Sequence, residues 1–212
     1  MLIRRTHLPL IMNRSMNRAL ANRLTLASAI VFVCSWCAST STAQDRTMDT
    51  ARSTLRLRVF KSGLFSAFGH NHEIEAPIAQ GTVHLSANPR VALNVHPREL
   101  RVLDPDVSAK ERADVQATMV GPKVLDTQHF SEISFQSTTV RKRDEQHWTV
   151  QGTLTLHGQT SPVEVEVTEK DGHYRGSLQL RQRDFGMTPV TIAGGTVRVK
   201  DEVKVELDIV LK

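Results

Sequence analysis

The residues with the most chemical potential are His70 and His72, one residue apart in the stretch "FSAFGHNHEIEA". Glu73 and Glu75 follow directly. In an extended strand, residues i and i+2 point the same way, so His70, His72 and Ile74 share one face and Asn71, Glu73 and Glu75 the other. Two imidazoles on one face are the beginning of a divalent-metal site, which needs a third ligand from elsewhere in the chain. His84 and His129 are the candidates for it. Without a spaced third ligand the same pair equally fits polar lining at the mouth of a pocket, or ordinary surface positions. The sequence leaves all three open.

Other chemistries have less to stand on. No Ser or Cys lies in a nucleophile motif, and "G-x-S-x-G" is missing. "RDFG" places Asp184 before Phe185 and Gly186 but has no glycine-rich or catalytic-loop partner. It reads as a strand end, with Asp accepting backbone hydrogen bonds and Gly relaxing the turn. The chain is therefore read as a non-enzyme without catalytic residues or a required cofactor; the alternatives are a metal-binding or redox-related protein using His70 and His72, and a ligand-free structural or stress module. The charged stretch "RKRDE", residues 141–145, reads as a solvated turn, and no basic patch interleaved with aromatics points to nucleic acid.

The elements that hold these residues are strands. Leu55, Leu57 and Val59 alternate with Arg56 and Arg58; Ile133 and Phe135 with Ser134 and Gln136. The same period of two runs through Trp148–Leu156, Val163–Val167 and Val203–Leu211. One apolar and one wet face is the mark of antiparallel strands around a single interior. Asp171-Gly172 and His157-Gly158 read as tight hairpins, and Gly152 as a bulge or kink. Asp201 would point inward if the last strand were unbroken, so a turn or bulge is expected there. Ser108 followed three residues later by Glu111 is a capping box, and Gly121-Pro122 a stop, which predicts a helix near residues 109–120 with Ala113, Ala117 and Val120 on one face. The expected fold is mainly β: an antiparallel barrel of about eight strands with one inserted helix. Such a barrel is either filled by side chains or holds one small ligand.

The first 43 residues read as a cleaved signal peptide. Arg4, Arg5, Arg14, Arg18 and Arg23 form a basic region, an apolar run spans Leu24–Trp36, and Ser41 and Ala43 precede a cleavage site at Gln44. The run is shorter than the roughly 20 residues a bilayer requires, so no membrane span is expected after cleavage. The destination is periplasmic or secreted. Met12 and Met16 are alternative starts. The remainder holds all 22 acidic residues and as many basic ones, so the high pI belongs to the signal. Cys34 and Cys37 also lie in it, and neither Val33 nor Trp36 suits a lipoprotein site. The mature chain has no thiol, hence no disulfide and no Cys-ligated metal. Residues 44–52 read as a flexible leader, and 53–212 as one domain.

Four segments carry a resemblance: "GLFSAFGHNHEI", the helix followed by "VLDTQHFSEISFQS", "VQGTLTLHGQTSPVEVEV", and "RDFGMTPVTIAGG". In order and spacing they resemble the YceI-like family of exported, polyisoprenoid-binding bacterial proteins with a lipocalin-like barrel. The family's common first motif has a single His and a longer apolar stretch; "GHNHEIE" is more polar. The resemblance implies a bound isoprenoid quinone or polyprenyl lipid. Phe65, Phe68, Phe135 and Trp148 would contact its chain or serve as core, while His70 and His72, with nearby glutamates, would meet its polar head. The oligomeric state is not legible.

Overall fold

The computed structural model describes residues 44–62, 71–192 and 197–212, with Ile192 and Val197 described by their backbone. Among the described residues, twelve strands join in one antiparallel sheet. They are β1 (Gln44–Thr47), β2 (Thr54–Ser62), β3 (His72–Glu75), β4 (Ile78–Leu85), β5 (Arg90–Val95) and β6 (Arg101–Val102). After helix α1 (Ala109–Val120) come β7 (Ile133–Lys142), β8 (His147–Leu156), β9 (Gln159–Lys170), β10 (His173–Arg181), β11 (Thr191–Ile192) and β12 (Val197–Val210).

Several of these are halves of one longer stave. β1 pairs with β4, and β2 with β3, on either side of the Asp49–Ser53 turn. β3 runs into β4 through Ala76-Pro77, and β5 reaches β6 through a 3-10 turn at Pro97–Glu99. The order β1-β4-β5-β7-β8-β9-β10-β12 returns to its start, because Met48 bridges Leu211 and the Lys212 N–H donates to the Thr47 carbonyl at 2.9 Å. Counted as staves, the segments form the barrel of about eight strands that the alternation predicts. The expected flexible leader is corrected: Gln44–Thr47 is a paired strand and Met48 is buried. Polar residues suffice there because the edge of β4 supplies backbone partners.

The turns follow their chemistry. His157-Gly158 (φ 52° and 72°) and Asp171-Gly172 (φ 55° and 77°) are two-residue hairpins in the left-handed region. β12 slips register between Val199 and Val203, as Asp201 requires; its Oδ1 accepts the Arg183 N–H instead of entering the lumen. The irregularity expected at Gly152 lies across from it, on β7 between Ser137 and Thr139. Gly152 itself leaves room: a Cβ there would sit 2.6 Å from the Phe135 ring and 2.4 Å from the Gln136 carbonyl.

Helix α1 spans the expected residues and carries the full capping box. Its inward face differs from the expectation. Met119 is buried, Val115 and Val120 pack on the core, and Ala113 and Ala117 are exposed. The larger side chains set the rotation, since burying Met and Val removes more apolar area than burying Ala. Gln116 completes the docking like a strand edge, accepting the Val102 N–H at 2.8 Å and donating to the Leu100 carbonyl at 2.8 Å. The Thr127 hydroxyl and N–H both bond the Val120 carbonyl, which closes the helix C-terminus.

Candidate functional site

Inward-facing side chains fill only part of the barrel. At the end away from the helix, Val150, Val165 and Val167 form a buried cluster with Trp148, Tyr174 and Phe135 against it. Toward the helix the interior opens into a cavity in which the centres of water-sized spheres can occupy about 230 Å³. Its wall is apolar except for Arg181 and Gln182. Met119, Val124 and Leu125 roof it from the helix and the loop after it, and Leu154, Leu178 and Val205 are typical of its sides.

One side of the wall is incomplete. β9 pairs with β8 along Gln159–Thr168, and β10 pairs with β12 along its whole length. Between themselves, β9 and β10 pair only from Glu166–Lys170 to His173–Ser177. Beyond that the two strands part, and the 3-10 turn Gln182–Phe185 occupies the gap. Phe185, only 1% exposed, wedges its ring there and lines the cavity. The turn is tied to its surroundings: the Ser161 hydroxyl donates to the Asp184 carbonyl at 3.1 Å, and His157 Nδ1–H to the Phe185 carbonyl at 3.2 Å. A second, polar recess with Glu164, Gln179 and Asp184 lies over this gap and shares Val163, Leu178, Leu180, Arg181 and Phe185 with the apolar cavity.

Gly186 is left-handed (φ 71°), as the turn reading expects. Among the bonds found for the described residues, those to Asp184 reach its carbonyl; the carboxylate that accepts a backbone N–H here is Asp201.

Phe135 lines the cavity. Trp148 does not; it packs in the closed end with its indole N–H buried and unbonded, and Lys142 lies 5.4 Å from the ring centroid. Phe65, Phe68 and His70 lie outside the described residues. His72 stands on the inner side of β3, across from Val59 and two residues before Ile74, both cavity residues. Its Nδ1–H donates to Asp104 Oδ2 at 2.6 Å, and the other carboxylate oxygen accepts the Glu73 N–H at 2.8 Å. Asp104 is almost fully buried (2% side-chain exposure) and the ring is 23% exposed. Glu73 and Glu75 face outward, paired with Arg56 and Arg101. The glutamates therefore lie on the opposite face of β3 from His72.

The proposed third ligands sit elsewhere: His84 bonds Asp45 between β4 and β1, and His129 bonds Asp126 in the turn after the helix. Among the described residues, no three His, Cys, Asp or Glu side chains gather into a metal-binding group. Asp104 escaped sequence reasoning because it is 32 residues from His72 and lies in what reads as a loop. The one signal was its place just ahead of the capping box, which fixes where the chain turns back toward β3.

Comparison with known proteins fits this architecture. A family model described as a YceI-like domain matches residues 47–211. The chain belongs to the YceI-like family. Similar to this YceI-like protein is a UPF0312 protein of Vibrio cholerae serotype O1, 24% identical over 177 residues, which are 77% of this chain and 87% of that one. Among solved structures, Burkholderia cenocepacia BcnA aligns with a TM-score of 0.58 at 16% identity, over 76% of this chain and 98% of its own. A polyisoprenoid binding domain from Saccharophagus degradans, implicated in plant cell wall breakdown, aligns with a TM-score of 0.53 at 12% identity, over 79% and 97%. At these identities the two structures establish the fold. Among the described residues, no helix of the YceI-like chain is long and apolar enough to cross a membrane.

Proposed function

We propose that this YceI-like protein is an exported, non-enzymatic binding protein that encloses the apolar chain of an isoprenoid quinone or polyprenyl lipid. The observation that carries the reading is the cavity itself. It lies beneath Met119, Val124 and Leu125 at the helix end of the barrel, and its lining is apolar but for Arg181 and Gln182. Moving an apolar chain from water into such a wall is favourable by roughly 25 cal/mol per Å², with no covalent chemistry required. That a related fold is described as a polyisoprenoid binding domain supports the same ligand class. Export rests on residues 1–43, whose basic and apolar order fits a periplasmic or secreted destination.

The described space of about 230 Å³ is smaller than the roughly 300–1,000 Å³ of typical small-molecule pockets. A long chain therefore has to project from the helix end or displace roof residues such as Met119 and Leu125. Native mass spectrometry of untagged protein, exported by its own signal into a bacterial periplasm, tests the proposal. The expected spectrum shows a mature chain beginning near Gln44 and a bound mass that organic extraction removes and that fragments as a prenyl lipid. A bare chain that also fails to take up added prenyl lipid would refute the binding reading.

A further inference from the structure

The wall between β9 and β10 is held differently from the other joints of the barrel. As far as Glu166 and Ser177 a backbone ladder joins the two strands; beyond that, in the half toward the helix, the 3-10 turn Gln182–Phe185 stands in for it. Pro162, with no N–H to give, lies in the unpaired part of β9. The polar recess lies outside this turn, where Glu164, Gln179 and Asp184 are exposed, and the centres of water-sized spheres can occupy about 210 Å³ of it. Recess and apolar cavity share Val163, Leu178, Leu180, Arg181 and Phe185. A single layer of side chains therefore separates lumen from solvent here.

The turn is fastened unevenly. On one side it continues β10 directly, the Gln182 amide donates to the Lys200 carbonyl at 2.8 Å, and the Arg183 N–H to Asp201 Oδ1 at 3.1 Å. Its internal bonds, Gly186 N–H to the Arg183 carbonyl and Met187 N–H to the Gln182 carbonyl, keep it in one piece. Across the gap, the hydrogen bonds found among the described residues are those from Ser161 and His157 to the Asp184 and Phe185 carbonyls. The helix roof has more ties to the barrel: Gln116 bonds the backbone of Leu100 and Val102, Arg112 that of Leu103 and Asp104, and Arg98 Nε donates to the Thr127 carbonyl at 3.1 Å.

We infer that this turn is a side gate: a guest chain enters and leaves the lumen between β9 and β10 when the turn swings away from β9, with Phe185 as its latch. The swing breaks two side-chain hydrogen bonds and unseats one ring, and every strand pair stays intact. The inference rests on the binding reading above and gives its guest a route.

A gate has a kinetic signature. Entry and exit both scale with the small fraction of molecules in which it stands open, so loosening its ties raises both rates and leaves their ratio unchanged. Ser161 is not part of the cavity lining, so Ser161→Ala removes one tie and leaves the lumen as it is. Stopped-flow fluorescence of Trp148 follows association and dissociation of a ubiquinone with a short prenyl tail, or of farnesol if the quinone does not bind. The protein is ligand-stripped and lacks residues 1–43, and urea midpoints show that each variant is folded. Both rate constants are expected to rise roughly three- to tenfold in Ser161→Ala, the worth of one net hydrogen bond, with Kd unchanged. Ser161→Thr keeps the hydroxyl and should stay at the wild-type rates. Gln116→Ala loosens the roof instead and should raise the rates less than Ser161→Ala.

Unchanged rates in Ser161→Ala would overturn the inference and leave the lumen reading standing. So would a change in dissociation alone, which marks a lost contact with the guest instead of a gate. A larger rise in Gln116→Ala than in Ser161→Ala would also overturn it, placing the entrance at the roof. If the wild-type protein takes up neither probe, the enclosed-ligand reading fails and this inference with it.

Discussion

Replacing Phe185 by alanine tests the wedge between β9 and β10. The ring is 1% exposed and closes the space where the two strands stop pairing. A buried phenyl side chain removes on the order of 150–250 Å² from water, which at roughly 25 cal/mol per Å² is about 4–6 kcal/mol. Almost none of the ring surface is free, so the loss should reach at least the low end of the observed Phe→Ala range, about 3 kcal/mol. Trp148, partly buried in the closed end, is the one tryptophan among the described residues, so in a chain of residues 44–212 its fluorescence reports unfolding without labels. With a urea slope of about 2 kcal/mol/M, the midpoint of ligand-stripped protein should fall by about 1.5 M. Phe185→Leu, which still fills the gap, should lose only about 1 kcal/mol. Opening the gap should also hasten release of a bound prenyl chain. A midpoint shift below about 0.3 M, with unchanged release, would show that the ring does not hold this part of the wall together.

Two further outcomes follow from particular contacts. Gly152→Ala sets a Cβ against the Gln136 carbonyl and the Phe135 ring; a loss of about 1–3 kcal/mol is expected, seen as a lower melting temperature and partly restored by adding Phe135→Leu. Asp208 accepts from His173 Nδ1 at 2.7 Å and Arg175 Nε at 2.8 Å. Burial pushes its carboxyl up, but the Arg175 and His173 bonds together outweigh this and hold it below the usual range. A depressed folded pKa contributes stability that is present above the unfolded value, near pH 4, and lost as pH falls through the folded one. Asp208→Asn should therefore cost about 1 kcal/mol at neutral pH and flatten the loss of stability below about pH 4 in urea titrations.

Much of the barrel was legible because alternation and turn chemistry are local. The strands around Leu55, Ile133, Val163 and Val205, both two-residue hairpins and the capped helix follow from residues within a few positions of one another. What was not legible depends on distant partners. β1 is a strand because β4 offers it an edge, which no feature of Gln44–Thr47 announces. Helix rotation was decided by Met119 against the barrel, not by the alanines. Trp148 and Phe135 look alike in sequence and both pack on the valine cluster, yet of the two only Phe135 reaches the cavity wall. The parting of β9 from β10 left one trace, Pro162 in the unpaired stretch of β9, which has no N–H to give a neighbouring strand. His72 was singled out by its spacing, but the feature that gives it a direction is Asp104.

The seam between β9 and β10 has a consequence for capacity. A barrel with every stave zipped to the next has a circumference set by its ladder, and its interior is a constant of the fold. Here one joint is closed over part of its length by the buried Phe185 ring and the bonds of its turn to Ser161 and His157, so at that joint the wall rests on packing and not on a backbone ladder. A guest too large for the described space is therefore expected to open the barrel at this turn first, which faster amide exchange over Gln182–Phe185 in the loaded protein would show.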